Sequence, residues 1–176
     1  MENNVGEMIL NNYEKYLGDY SDVKAFSDNE HTIQYLIYDG VFKGCKTIMS
    51  FGLSKYMEDS CEVIMVVDEE ADKSTRVLSN ALFYIIQNRI KLVEGSFIEG
   101  IQNIDLEFSE KYDKVAVYFT FPFCVPDGFS KVGDCNILLA FFITKEELDF
   151  LKKNGSNKFE DYLSEKECDV FELGRV

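Results

Sequence analysis

The run Cys61-Glu-Val-Ile-Met-Val-Val67 constrains the fold more than any other stretch of this chain. It is apolar almost throughout, which predicts a central strand. The acidic run Asp68-Glu69-Glu70-Ala71-Asp72 follows directly. Behind it the spacing of Val77, Leu78, Ala81, Leu82, Ile85 and Ile86 predicts a helix over about 73–90 with one apolar stripe. Carboxylates at that start complement the positive end of the helix dipole, and Asp72 is assigned to capping it. A buried strand feeding a one-sided helix needs further strands beside it, and the sequence supplies them.

Residues 32–38 are β-branched and aromatic and close on the turn signal Asp39-Gly40. Further strands are predicted over 46–51, 115–121 and 136–143, with a last strand-like piece over 169–173. Met8, Ile9, Tyr13 and Leu17 predict an amphipathic helix over 3–17, with Glu7, Glu14 and Lys15 on its other face and Gly18 ending it. Thr144 and Glu147 have capping-box spacing, so a helix starts there with Leu148 and Leu151 inward and stops at Asn154-Gly155. A short helix covers Phe159, Tyr162 and Leu163. The stretch with Gly95 and Gly100 reads as irregular, and Pro122 and Pro126 bracket Phe123-Cys124-Val125 as a loop or edge segment. The sum is an α+β fold: a mixed, mainly antiparallel sheet flanked by helices, in a single domain over residues 1–176.

Composition supports a real core, since 46% of residues are hydrophobic, with fifteen Phe and ten Tyr. Disordered chains lack such aromatics. The longest apolar run, Ile137–Ile143, is seven residues, against about 20 for a membrane helix. With no basic n-region at the start, the expectation is a cytoplasmic protein. Cys45, Cys61, Cys124, Cys135 and Cys168 are scattered and form no C-x-x-C, which suggests small hydrophobes in a reducing compartment.

Catalytic patterns are sparse. The single histidine, His31, sits in a polar loop, and Ser54 in Gly52-Leu53-Ser54 lacks the second glycine of a nucleophile elbow. Glu107, Glu110, Asp113 and Lys114 superficially resemble the carboxylates of a metal-dependent nuclease, as do Asp127 and Asp134. Among 32 carboxylates such coincidences are expected. No catalytic, metal-binding or cofactor-binding residue is assigned, and no cofactor is expected.

Charge carries the functional signal. The chain has 18 Lys and Arg against 32 Asp and Glu, a formal charge of −14. Such a chain repels nucleic acid and anionic membranes and attracts basic proteins. The acidic stretches are Glu58-Asp59 with Glu62, Asp68–Asp72, and Glu160-Asp161 running on through Glu165, Glu167, Asp169 and Glu172. Together they predict a broad acidic surface, with Glu58, Asp59, Asp68, Glu69, Glu70, Glu160 and Asp161 as its partner-binding residues.

Several short motifs also recur in order. Ser50-Phe51-Gly52-Leu53-Ser54-Lys55-Tyr56 precedes Glu62–Asp68. Phe119-Thr120-Phe121-Pro122-Phe123 leads through an apolar strand to Ile143-Thr144-Lys145-Glu146-Glu147-Leu148, and the chain closes on Asp169–Arg175. Over about residues 30–175 this order resembles the suppressor of fused family, in its short bacterial form. The family often has proline where Ile143 stands, and its animal members are much longer. The resemblance implies an α+β domain, no catalysis and a protein partner. Bacterial members of this form are associated with toxin systems as immunity proteins or antitoxins that bind a toxin, often a nuclease. A cognate toxin, or another basic protein, is therefore the expected partner, with nucleic acid and membrane excluded. Acidic residues would compete with nucleic acid for a nuclease's cleft. The alternatives are a regulatory adaptor for another protein, such as a transcription regulator, and a carboxylate metal-dependent hydrolase.

Overall fold

Among the described residues, 4–175, the computed structural model forms one eight-stranded sheet with helices on both faces. In chain order its elements are α1 (Val5–Leu17), β1 (Asp22–Ser27), β2 (Thr32–Asp39), β3 (Lys46–Phe51), β4 (Cys61–Val67) and α2 (Ala71–Gln87). Then come β5 (Phe97–Glu99), α3 (Ile101–Ile104), α4 (Leu106–Tyr112), β6 (Ala116–Thr120), β7 (Lys131–Val132), β8 (Cys135–Ile143), α5 (Lys145–Asn154) and α6 (Ser156–Glu165).

The strand order is β1-β2-β3-β4-β8-β6-β5, with β7 paired to the start of β8. All pairings are antiparallel except β4 with β8. The mixed, mainly antiparallel sheet is thus the one the sequence predicts, and β4 is central, with every residue buried. Its pleat divides the core. Val63 and Met65 join Tyr35, Leu82 and Phe119 beneath α2, whereas Ile64 and Val66 join Ile9, Tyr13, Tyr118 and Phe159 beneath α1, α5 and α6. A strand buried on both sides loses the polar alternation of a one-sided sheet.

The capping box forms as its spacing predicts. Thr144 accepts from the Glu147 amide at 3.1 Å, and Glu147 accepts from the Thr144 amide at 2.8 Å. Glu147 also holds Arg175, whose Nη2 donates to it at 3.0 Å and to the Phe142 carbonyl at 2.8 Å. Gly18 and Gly155 end their helices with φ of 79° and 84°, where a Cβ would be strained.

Five readings need correction. β1 carries no prediction because its two faces are largely wet. The stretch read as irregular holds β5, α3 and α4. Residues 169–173 are not a strand: Asp68 ties them as turns, its amide donating to the Phe171 carbonyl at 3.1 Å and its Oδ1 accepting from the Leu173 amide at 2.9 Å. Asp72 does not cap α2, which starts one residue earlier; it is exposed and pairs with Lys24 at 3.0 Å. Met8, assigned to the inner face of α1, is 39% exposed. Residue 3 of that predicted helix lies outside the described residues.

Candidate functional site

The register places the start of β4, the start of β8 and the end of β6 at one end of the sheet. Cys61 lies beside Asn136, and Thr120 beside Leu139. Just past β6, Pro122 removes an amide from the ladder and the chain leaves the sheet. Phe121 and Phe123 then project from this end, 38% and 61% exposed. Phe123 stacks against Phe171 with ring centroids 6.5 Å apart, which gives the projection a firm base.

Carboxylates flank it on both sides. A cleft of about 770 Å³ lies on one side, lined by Glu58, Asp59, Val93, Glu94, Phe121 and Asp134 among others. A smaller groove of about 450 Å³ on the other side is lined by Phe123, Phe141, Glu160, Leu163 and Glu167. Glu160 is fixed there because the Tyr118 and Thr120 hydroxyls both donate to its Oε1 at 2.7 Å. Burial, and then that hydrogen bond to Glu160, push the Tyr118 hydroxyl well above its ordinary pKa. Chemically, this end offers exposed aromatic area among carboxylates, of which Glu160 is fixed, with Lys91 and Lys131 also lining the larger cleft, an arrangement that suits an apolar surface ringed by Lys and Arg.

The predicted acidic residues do not form one field. Glu58, Asp59 and Glu160 come together around Phe121 and Phe123, although Lys91 pairs with Asp59 at 2.8 Å. Asp161 is exposed, one residue on from Glu160 in α6 and so turned about 100° around the helix from it. Asp68, Glu69 and Glu70 lie at the opposite end of β4, where Asp68 holds the C-terminal turns and Glu70 pairs with Lys111 at 3.1 Å. Glu62 leaves the surface altogether. It is fully buried and accepts from Ser50 Oγ at 2.5 Å and from the Gly52 and Ser54 amides at 3.0 Å each. Desolvation pushes its carboxyl up, against the hydrogen bonds that hold it down. The Gly52-Leu53-Ser54 motif is therefore structural. Gly52 turns at φ 100°, Leu53 is buried, and both flanking amides bind Glu62.

The residues missed from sequence are Val93, Glu94, Phe121, Phe123, Asp134 and Glu167 as members of one site. The available signal was a pair of prolines around an apolar segment that cannot join the ladder. His31 forms a pair with Asp28, Nδ1 at 3.0 Å from its carboxylate, while Gln87 Nε2 donates to the same group at 2.9 Å. Among the described residues, no serine or cysteine hydrogen-bonds to its ring. Lys114, read with Glu107, Glu110 and Asp113, is buried and donates to the Arg175 carbonyl at 3.1 Å. Among the described residues, no three His, Cys, Asp or Glu side chains are arranged to hold a metal ion, and no helix is long and apolar enough to cross a membrane.

The fold defines a mixed-sheet α+β domain with helices on both faces. A family model, suppressor of fused protein, matches residues 29–176, and the chain belongs to that family. It is 24% identical over 118 residues to the immunity protein YqcF of Bacillus subtilis strain 168, a match covering 65% of this chain. The chain covers only 60% of that relative's length. Among solved structures, a suppressor of fused homologue from Neisseria gonorrhoeae FA 1090 superposes with a TM-score of 0.79 at 14% identity, over 98% of this chain and 96% of that one. A chain of the Sufu–Fu complex gives 0.64 at 12% identity, over 98% and 89%. Drosophila Suppressor of Fused gives 0.54 at 13% identity, over 82% of this chain and 42% of that one.

Proposed function

We propose that this chain is a protein-binding immunity protein that neutralises a cognate toxin by direct, stoichiometric contact through the Phe121–Phe123 end of its sheet. The observation that carries the reading is Phe123, 61% exposed and seated on Phe171, between grooves lined by Glu58, Glu94, Asp134, Glu160 and Glu167. Exposed aromatics on a rigid base are the anchors from which protein interfaces draw most of their affinity, and the acidic rim selects a basic partner. The relative named as an immunity protein supports the toxin as that partner. Glu58, Asp59, Glu160 and Asp161 belong to the proposed rim. Asp68 supports the site from beneath, since it holds the turn that carries Phe171, while Glu70 is paired with Lys111.

The test is co-purification with the product of the neighbouring gene, followed by calorimetry at low and high salt. Phe123→Asp should weaken the complex at least about tenfold without lowering the melting temperature. Undiminished binding by that variant would refute the site, and no complex at all would refute the immunity reading.

A further inference from the structure

A second surface stands on different observations. Among the described residues, three exposed large hydrophobic side chains gather between α1 and the edge of the sheet: Leu10, Tyr20 and Val23, between 37% and 53% exposed. Between α1 and the strands runs an open groove of about 580 Å³. Leu10, Tyr20 and Val23 give it apolar walls, Glu7, Glu14 and Asp19 give it charge, and no Lys, Arg or His lines it.

The groove opens on a free strand edge. β1 ends the sheet, and among the described residues nothing pairs with its outer side. The ladder fixes which amides face outward. Asp28 donates to the His31 carbonyl at 3.0 Å, so 28 and 31 are a hydrogen-bonded pair in a register that sets Ser27 opposite Thr32. The Thr32 amide donates to the Tyr56 hydroxyl and the Thr32 carbonyl accepts from it, as befits a non-bonded partner of Ser27. Alternation then turns the backbones of Val23, Ala25 and Ser27 away from β2. The Val23 amide is covered by the exposed Asp22 side chain at 2.9 Å, which leaves the Ala25 and Ser27 amides open along the edge. Unpaired edges are templates for strand addition, and native chains blunt them with Lys or Pro. Here Lys24 lies on the α2 face, held by Asp72 at 3.0 Å, and leaves the α1 face of the edge unguarded.

We propose that the β1 edge and the α1 groove take an extended segment of a basic partner protein, which adds to the sheet beside β1 and places alternate apolar and cationic side chains against Val23, Leu10 and Tyr20 and the carboxylates of Glu7, Glu14 and Asp19. Main-chain hydrogen bonds supply the affinity in this mode, and alternate side chains supply the specificity. A second copy of the chain fits poorly, because it would bring a charge of −14 against its own like. The inference rests on the protein-binding reading only for the choice of a protein occupant, and its test is independent of the Phe123 surface.

The probe is a blocked peptide of alternating lysine and valine, about nine residues long, titrated into the isotope-labelled chain at low salt. The expected result is slowed exchange of the Ala25 and Ser27 amides by at least about tenfold, lost when a central valine of the peptide becomes proline, and weakened at high salt. Ala25→Pro should abolish binding with the fold retained, since the lost amide makes no bond to β2. Val23→Lys, which leaves the backbone untouched, should weaken it at least about tenfold. Three results would overturn the proposal: protection confined to the Phe121–Phe123 end, equal binding by Val23→Lys, or a β1-to-β1 dimer in sedimentation that excludes the peptide.

Discussion

Glu62→Leu tests whether a buried carboxylate, and not an acidic surface, organises the centre of this fold. Glu62 gathers three donors: Ser50 Oγ, the Gly52 amide and the Ser54 amide. Ser50 in turn accepts the Val63 amide at 2.8 Å, so the group links β3, the turn after it and β4. Leucine would orphan all three donors, at about 1–3 kcal/mol each. Relief from burying a charge offsets part of that loss, which leaves a net destabilisation of about 3–5 kcal/mol, a large share of a typical domain's about 5–15. Glu62→Gln keeps one oxygen for the two amides and disturbs only the Ser50 bond, so about 1 kcal/mol is expected. The pH dependence has a definite sign. Burial raises the folded carboxyl, so above the unfolded value of about 4.3 the native state keeps a proton that the unfolded chain has released. Its contribution is full below that value and falls as pH rises through the folded pKa. Glutamine does not titrate, so the advantage of the wild type over Glu62→Gln should shrink from about pH 4 toward neutrality. Urea unfolding followed by circular dichroism measures both, since the chain has no Trp to report by fluorescence. A leucine variant within about 0.5 kcal/mol of wild type, or a glutamine gap that ignores pH, would refute the reasoning.

Three further perturbations follow from the closing elements. Thr144→Ala removes half of the capping box of α5 and should cost about 1 kcal/mol in the same denaturation assay. Arg175→Ala leaves Glu147 buried without its cation and frees the Phe142 carbonyl, so a loss of about 3–5 kcal/mol is expected, with the C-terminal turns becoming sensitive to proteolysis. Burial, and then the Arg175 charge, hold Lys114 down to about 8. Between there and about 10.4 the unfolded chain binds a proton that the native state does not, so this group's contribution to stability grows as pH rises through that window, and Lys114→Met should flatten that rise in a pH series of melts.

What was legible in the sequence follows from how local the determining forces are. β4 and β8 are apolar enough to announce burial on both faces, and α5 carries its own start signal in Thr144 and Glu147. β1 has only Val23, Ala25 and Phe26 to show, because an edge strand with wet faces needs no strict alternation. Residues 169–173 look like a strand because Val170 and Phe171 favour one, but Asp68 folds the segment into turns instead. The acidic groups were legible as charges and not as places. Glu62 and Asp59 stand three residues apart and meet opposite fates. The pleat of β4 points Glu62 at the Gly52–Ser54 turn, whereas Asp59 meets Lys91, which is 32 positions away and invisible to local reading. Phe121 reads as the end of a strand and Phe123 as part of a loop or edge segment, with nothing local to mark either as exposed. Only Pro122, and the fact that the sheet ends there, put them outside.

The distribution of charge also limits how the −14 can act. Asp68 is committed to the Phe171 carbonyl and the Leu173 amide, and Glu70 is offset by Lys111. Glu147 and Glu62 are committed to the interior. The charges that a partner at the Phe123 end meets directly come down to Glu58, Glu94, Asp134, Glu160 and Glu167, with Asp59 diminished by Lys91 and Lys131 adding one positive charge to the larger cleft. The total charge then governs how fast a basic partner arrives at low salt, while these few residues, together with the two phenylalanines, govern how long it stays.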